Sequence, residues 1–406
     1  MNLTKATDLP GVVDPTSLAY WDDIHGTLGP LRERWPVVRS TAGLVEVLRY
    51  EHGEPLLRDP RMLQAMHGML ANQGITSGPL YEWWQLIMNN RDVPSHTRLR
   101  SLVGRAFTPK QVARIRPRVR SIAHELVGEL LTEGQADVQA TFCHRLPLVV
   151  LCEMLGVPED DQSVVERWTT TVGLAFSAVI PPETVNDIEH AVTDFNMYAE
   201  DLIERRRAAP GDDLLSALIV AEEAGDRLTH DELRALIINL LFAGHDTTKA
   251  MLSIAIWLLM THPDQLALLR ADPSLLVGAV EEFGRYETPI SGIPRVPSQD
   301  ITVAGVSIPA GSYLTVSVPS ANRDPRRFDN PDRFDVTRTD NRHLTFGFGI
   351  HHCVGAAVAR AEIQEALRVL VPLVDLEPLL DAPSWVPYAA ARRFESLPVR
   401  ARPARS

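Results

Sequence analysis

Between Thr229 and Thr261 the chain runs with almost nothing polar on any side, and whatever fold it adopts must be built around that stretch. Thr229-His230-Asp231-Glu232 reads as a capping box that opens a helix, and His262-Pro263 closes it. At 1.5 Å per residue such a helix is roughly 45 Å long, enough to cross a domain. Being apolar nearly all round, it belongs in an interior. Its middle, Ala243-Gly244-His245-Asp246-Thr247-Thr248, breaks the pattern. A glycine inside a helix costs about 1 kcal/mol against alanine, and a buried aspartate costs more unless something pairs with it. Two readings follow. Gly244 and Thr248 let a neighbouring helix approach, or backbone loosened at Gly244 opens a space where Asp246 and Thr247 supply an acid and an alcohol for proton delivery.

A second segment, Phe346-Gly347-Phe348-Gly349-Ile350-His351-His352-Cys353-Val354-Gly355, puts one cysteine between a glycine-rich turn and another apolar helix. That helix is expected to start at Cys353, run to about Val371 and stop at Pro372. Gly347 and Gly349 permit positive φ and let the backbone approach a flat cofactor, with N–H groups available to sulfur. At a helix N-terminus the dipole lowers the pKa of a thiol, favouring the thiolate that binds metals. A lone cysteine is commonly a small buried apolar residue, but a core cysteine needs no such turn. The paired spacing of a structural zinc site is missing, and His351, His352 and Cys353 are adjacent. Haem iron is the metal that remains.

With 406 residues and 45% hydrophobic content the chain can bury a large core. Without a composition break it reads as one domain, 16–406, behind a flexible N-terminus, 1–15. The three cysteines, Cys143, Cys152 and Cys353, give no disulfide framework, which suits a reducing compartment and a cytoplasmic location. The most hydrophobic windows, Ala235–Ala243 and Met251–Met260, fall far short of the roughly 20 residues that span a bilayer, and the N-terminus has no leader-like run. No membrane partner is expected. A net charge of −12 without a basic stripe argues against nucleic acid as a partner. Only Lys5, Lys110 and Lys249 are lysine among 40 basic residues, a bias that points to a GC-rich bacterial genome.

Helical periodicity dominates elsewhere. It predicts helices over His96–Ala106, Pro109–Glu133, Pro182–Ala208, Leu214–Ala224, His230–Met260, Pro263–Asp272 and Leu275–Glu287. Strand signals are short: Trp35–Val38, Ile301–Val303, Val306–Ile308 and Tyr313–Ser317. The fold class is therefore mainly α with a small β portion.

The pattern F-G-x-G-x-H-x-C-x-G followed by Ala359-Arg360 resembles the haem-binding signature of the cytochrome P-450 superfamily, with valines at 354 and 358 where leucine is common. Ala243-Gly244-x-Asp246-Thr247 resembles its A/G-G-x-D/E-T motif, His96-Thr97-Arg98-Leu99-Arg100 its H-T-R-L-R segment, and Glu282-x-x-Arg285 its E-x-x-R pair. The resemblance implies a single triangular-prism-like domain holding haem b between the long central helix and the cysteine-loop helix. It implies that Cys353 is the axial iron ligand, favouring O–O cleavage. His96, Arg100, Arg295 and His351 would then bind the propionates, with Phe346, Gly347 and Gly355 around the haem and Ala243 and Gly244 over its other face. Asp246 would relay protons and Thr247 would face dioxygen, while Glu282, Arg285 and Arg333 form a structural triad. Leu240, Ala243, His245, Ile290 and Ile293 are the candidate substrate contacts, together with Thr171–Pro182, Ala389–Arg393 and the aromatic segment Met62–Asn90, whose Tyr81, Trp83 and Trp84 suit core packing equally.

The activity implied is insertion of one atom of dioxygen into a mid-sized, mostly apolar organic substrate, by hydroxylation or epoxidation, in secondary-metabolite tailoring. Electrons would come from a separate ferredoxin and ferredoxin reductase, with Arg98, Arg342 and Arg360 as candidate contacts. Oxidative coupling or ring closure is an alternative that the sequence leaves open. A non-catalytic haem-binding sensor is another, although it has no need of an acid-alcohol pair.

Overall fold

The computed structural model of the chain describes residues 4–41, 43–104, 107–177, 180–223, 228–387 and 391–404. Packing divides it into two compact units, neither of them contiguous in sequence. The first comprises Met1–Met66, Ile254–Cys353 and Ser384–Glu395; the second comprises His67–Ser253, Val354–Pro383 and Ser396–Ser406.

A six-stranded sheet organises the first unit, in the order Gly11–Val13, Val37–Ser40, Val45–Val47, Leu314–Ser317, Gly292–Pro297, Met62–Gln64. At its centre Val45–Val47 runs parallel to Leu314–Ser317, with Leu314 opposite Val45. Valines and leucines from these strands, including Val47, Leu314 and Val316, bury into one cluster with Ile308, Phe328 and Leu344. A smaller sheet joins Thr4–Lys5 to the hairpin Ile301–Val303 and Val306–Ile308. Two strands thus arise within residues 1–15, where a flexible terminus is expected.

Helices make the second unit. Pro109–Glu133 spans the residues its periodicity predicts: Thr108 caps it through Gln111 N–H, proline opens it and left-handed Gly134 ends it. It packs on Ala356–Leu373 through Val112, Val358 and Ala361, and its Arg116 and Arg120 reach Glu365 at 2.9 and 2.7 Å. One sheet, Val374–Pro378, Pro398–Pro403 and Gln135–Asp137, closes this unit.

The long helix is His230–Thr261, 32 residues. Its capping box is present: Thr229 N–H donates to Glu232 Oε2 at 3.1 Å, and Glu232 N–H donates to Thr229 Oγ1 at 3.2 Å. The helix after the cysteine begins at Ala356, not at Cys353, and Pro372 lies inside its last turn. The helix ends one residue after this proline, close to the stop that Pro372 predicts. The expected ends at Ala106 and Ala224 fall outside the described residues. Among the described residues no single helix is long and apolar enough to cross a membrane.

Candidate active site

The cysteine loop belongs to the first unit. Cys353 N–H donates to the Phe346 carbonyl at 2.8 Å, closing Phe346–Cys353 into a compact turn. Within it Gly347 and Gly349 take φ of 66° and 72°, the left-handed region. A Cβ on Gly349 would lie 2.4 Å from the Leu57 carbonyl oxygen, so the chain approaches too closely there for any other residue. Ile293, on the strand Gly292–Pro297, lies beside the turn, its Cδ1 3.7 Å from where a Gly347 Cβ would be. Ile290 and Ile293 both pack against the sheet core. Arg295 on the same strand is 3% exposed and donates to Gln64 Oε1 at 3.3 Å and to the Pro294 carbonyl at 2.8 Å. His351 is half-buried.

The three cysteines differ sharply. Cys143 and Cys152 are buried, and burial pushes both thiols up, that of Cys152 to about 12. Cys353 is exposed. Among the described residues no three His, Cys, Asp or Glu side chains come together to hold a metal ion. A metal that takes one protein ligand and brings its remaining ligands with it, as haem iron does, fits this donor set; a protein-only metal site does not.

Below the loop, Glu282 and Arg285 are wholly buried and doubly bonded, at 2.7 and 2.8 Å. Arg285 also donates to the carbonyls of Asn322, Pro331 and Arg333. The expected third member is corrected. The Arg333 side chain is 68% exposed and its carbonyl is what joins the network, whereas Arg338 Nε stands 3.2 Å from Glu282 Oε2. The carbonyl of Gly284 in this helix accepts from the hydroxyl of Thr345 at 2.6 Å, and Thr345 leads directly into Phe346.

The interruption in the long helix lies in its second-unit part, which ends at Ser253. From Ala235 to Ser253 all residues are buried except Ala243, Gly244 and Thr247. Those three keep accessible surface within an otherwise closed stretch. Thr247 Oγ1 donates to the Ala243 carbonyl at 3.1 Å, and Asp246 pairs with Lys249 at 2.7 Å. Leu240 is buried. Gly244 also serves packing, since a Cβ there would lie 3.0 Å from Leu151 on the helix Arg145–Met154. His245 faces the same neighbour: its Nε2 is 3.1 Å from the His144 carbonyl and its ring packs edge-on against that of His144. At 100° per residue it stands nearly opposite Ala243 and Thr247, so it does not share their surface.

His96 and Arg100 sit on the helix Ser95–Gly104, His96 buried and Arg100 half-buried. Arg98 between them forms a bidentate pair with Glu232, at 2.9 and 2.6 Å. Gly355 precedes the helix Ala356–Leu373 as its cap. Trp83 and Trp84 are core residues, 2% and 0% exposed, packed with Phe176, which stacks on Phe242. Of the remaining expected contacts, residues 178–179 and 389–390 lie outside the described residues.

The profile described as Cytochrome P450 matches residues 80–379. The chain is 42% identical over 317 residues to the 6-deoxyerythronolide B hydroxylase of Saccharopolyspora erythraea, covering 77% of each protein. It is 40% identical to the mycinamicin IV hydroxylase/epoxidase of Micromonospora griseorubida, over 86% of this chain and 89% of that one. The crystal structure of CalO2 superposes with a TM-score of 0.91 at 31% identity, covering 97% of this chain and 99% of the other. On these likenesses, and on the single exposed thiol in its glycine-bent loop, the chain belongs to the cytochrome P450 family of haem b monooxygenases.

Proposed function

We propose that this chain hydroxylates or epoxidises a mid-sized, mostly apolar product of secondary metabolism, with Cys353 as the iron ligand and Asp246 and Thr247 as the proton-delivery pair. The observation that carries the reading is the exposure left at Ala243, Gly244 and Thr247 in a stretch of helix, Ala235 to Ser253, otherwise shut from solvent. Two relatives named for such oxidations, of 6-deoxyerythronolide B and of mycinamicin IV, support the substrate class.

Haem, when bound, supplies the iron that activates dioxygen. Cys353 donates its thiolate from a loop held by the Cys353–Phe346 backbone bond and the Gly349 turn. Buried His96 and Arg295, with Arg100 and His351, offer donors to the two propionates. Thr247 presents a hydroxyl that now donates to the Ala243 carbonyl and can turn toward the accessible face. Asp246 holds a carboxylate one residue away that carries protons to it. Leu240 in the second unit, and Ile290 and Ile293 in the first, are apolar, as contacts to such a substrate would be. Electrons come from a separate ferredoxin and its reductase. Their docking surface is the exposed cysteine side of the first unit, where Arg58 and Arg342 flank Phe348 and Ile350 is exposed.

Replacing Thr247 by alanine tests the reading. The Thr247→Ala enzyme is expected to keep its haem and its carbon monoxide spectrum while diverting most reducing equivalents from product to hydrogen peroxide. Unchanged product yield per NAD(P)H would remove Thr247 from proton delivery, and a thiolate-type spectrum surviving Cys353→Ser would remove the ligand.

A further inference from the structure

We propose that Lys249 is the positioning residue of proton delivery, holding Asp246 by a buried ion pair that must open for the carboxylate to act. The proposal rests on the reading of Asp246 given above. Lys249 is 3% exposed and Asp246 7%, and Nζ to Oδ1 is 2.7 Å, one helical turn apart. Taking both charges out of water is expensive, so such a pair is a weak source of stability and invites a search for another role.

The choice of cation supplies that role. This chain uses arginine almost everywhere: Lys5, Lys110 and Lys249 are its only lysines among 40 basic residues. Its buried structural pairs, Arg285 with Glu282 and Arg392 with Glu287, are made by arginine. A guanidinium grips a carboxylate through two fixed N–H groups, as Arg285 does. An ammonium on a flexible stem is a single point of attachment and lets go more easily. Lysine therefore stands beside the one buried carboxylate that has to move. The neighbouring Thr247 hydroxyl is turned back to the Ala243 carbonyl, so the carboxylate waits on Lys249 while the hydroxyl waits on the backbone. Delivery requires both to turn.

Four variants test this in the haem-loaded enzyme: Lys249→Met, Lys249→Arg, Asp246→Asn and the double variant D246N/K249M, each first checked for haem content and carbon monoxide spectrum. Lys249→Met removes the anchor and Lys249→Arg tightens it, so both are expected to lower product per NAD(P)H by about threefold or more, with hydrogen peroxide making up the balance. Lys249→Arg keeps the thermal midpoint near that of the wild type, which separates the effect from simple loss of structure. The double variant couples no worse than Asp246→Asn alone, and its midpoint falls by less than the sum of the single losses. Should Lys249→Met fail to fold, Lys249→Arg and the double variant, which leaves no orphan charge, carry the test. Wild-type coupling in Lys249→Arg, or coupling losses that multiply in the double variant, overturns the proposal. Wild-type coupling in Asp246→Asn overturns the underlying reading of Asp246 instead.

Discussion

Gly349 shows how a single residue governs the cysteine loop. Both loop glycines adopt positive φ, but only Gly349 has a backbone oxygen, that of Leu57, where its Cβ would be; around Gly347 the nearest atoms are 3.7 Å away. Gly347→Ala therefore meets only the left-handed backbone penalty, roughly 1–2 kcal/mol. Gly349→Ala meets that penalty and a clash with main chain that cannot rotate aside. Haem content per protein is expected to fall severely in Gly349→Ala and modestly in Gly347→Ala, as read from the carbon monoxide difference spectrum. Equal content in the two variants would show that the loop yields where the geometry says it cannot. The sequence makes the turn itself legible through its glycine spacing. It does not reveal which glycine is indispensable, because the obstructing atom comes from a helix, Tyr50–Arg58, far away along the chain.

At the level of elements, helices were readable and their partners were not. Pro109–Glu133 and the capping box at Thr229 follow from 3.6-residue periodicity and local side-chain chemistry, which travel with the sequence. Strands of two to four residues such as Thr4–Lys5 and Val45–Val47 are too short to show an alternation, and their pairing lies with residues beyond 300. His245 was legible after all: the helical angle alone turns it away from Ala243 and Thr247. Arg338 was not, since a loop decides which arginine reaches Glu282. Arg338→Ala takes a cation from a wholly buried carboxylate and is expected to lower stability by about 1–3 kcal/mol, whereas Arg333→Ala, at an exposed side chain, should change it by about 0.5 kcal/mol or less. Urea denaturation of the two variants measures the difference, and equal losses would return Arg333 to the triad.

Two buried carboxyls give the whole molecule opposing responses to pH. Burial alone would raise Glu287, but Arg392, His25 and Arg323 outweigh it and hold the carboxyl far below the ordinary range, so its contribution is complete above about pH 4.5 and is lost in acid. Glu46, inside the sheet, has burial without compensation, which pushes it up to about 7. Its folded form keeps a proton that the unfolded chain gives up, so stability declines as pH rises from about 4.5 through 7. Glu46→Gln removes that decline: the variant should match the wild type near pH 4.5 and exceed it by about 3 kcal/mol at pH 8. Thermal melts at the two pH values decide it, and a gain that does not depend on pH would mean that Glu46 is ionised in the fold. The central parallel pair of that same sheet has a consequence for biosynthesis. Val45–Val47 leaves the ribosome about 270 residues before Leu314–Ser317, its partner, exists. At about 5–20 residues per second the nascent strand waits on the order of 15–50 s with one edge unpaired, open to pairing with other chains until synthesis is nearly complete.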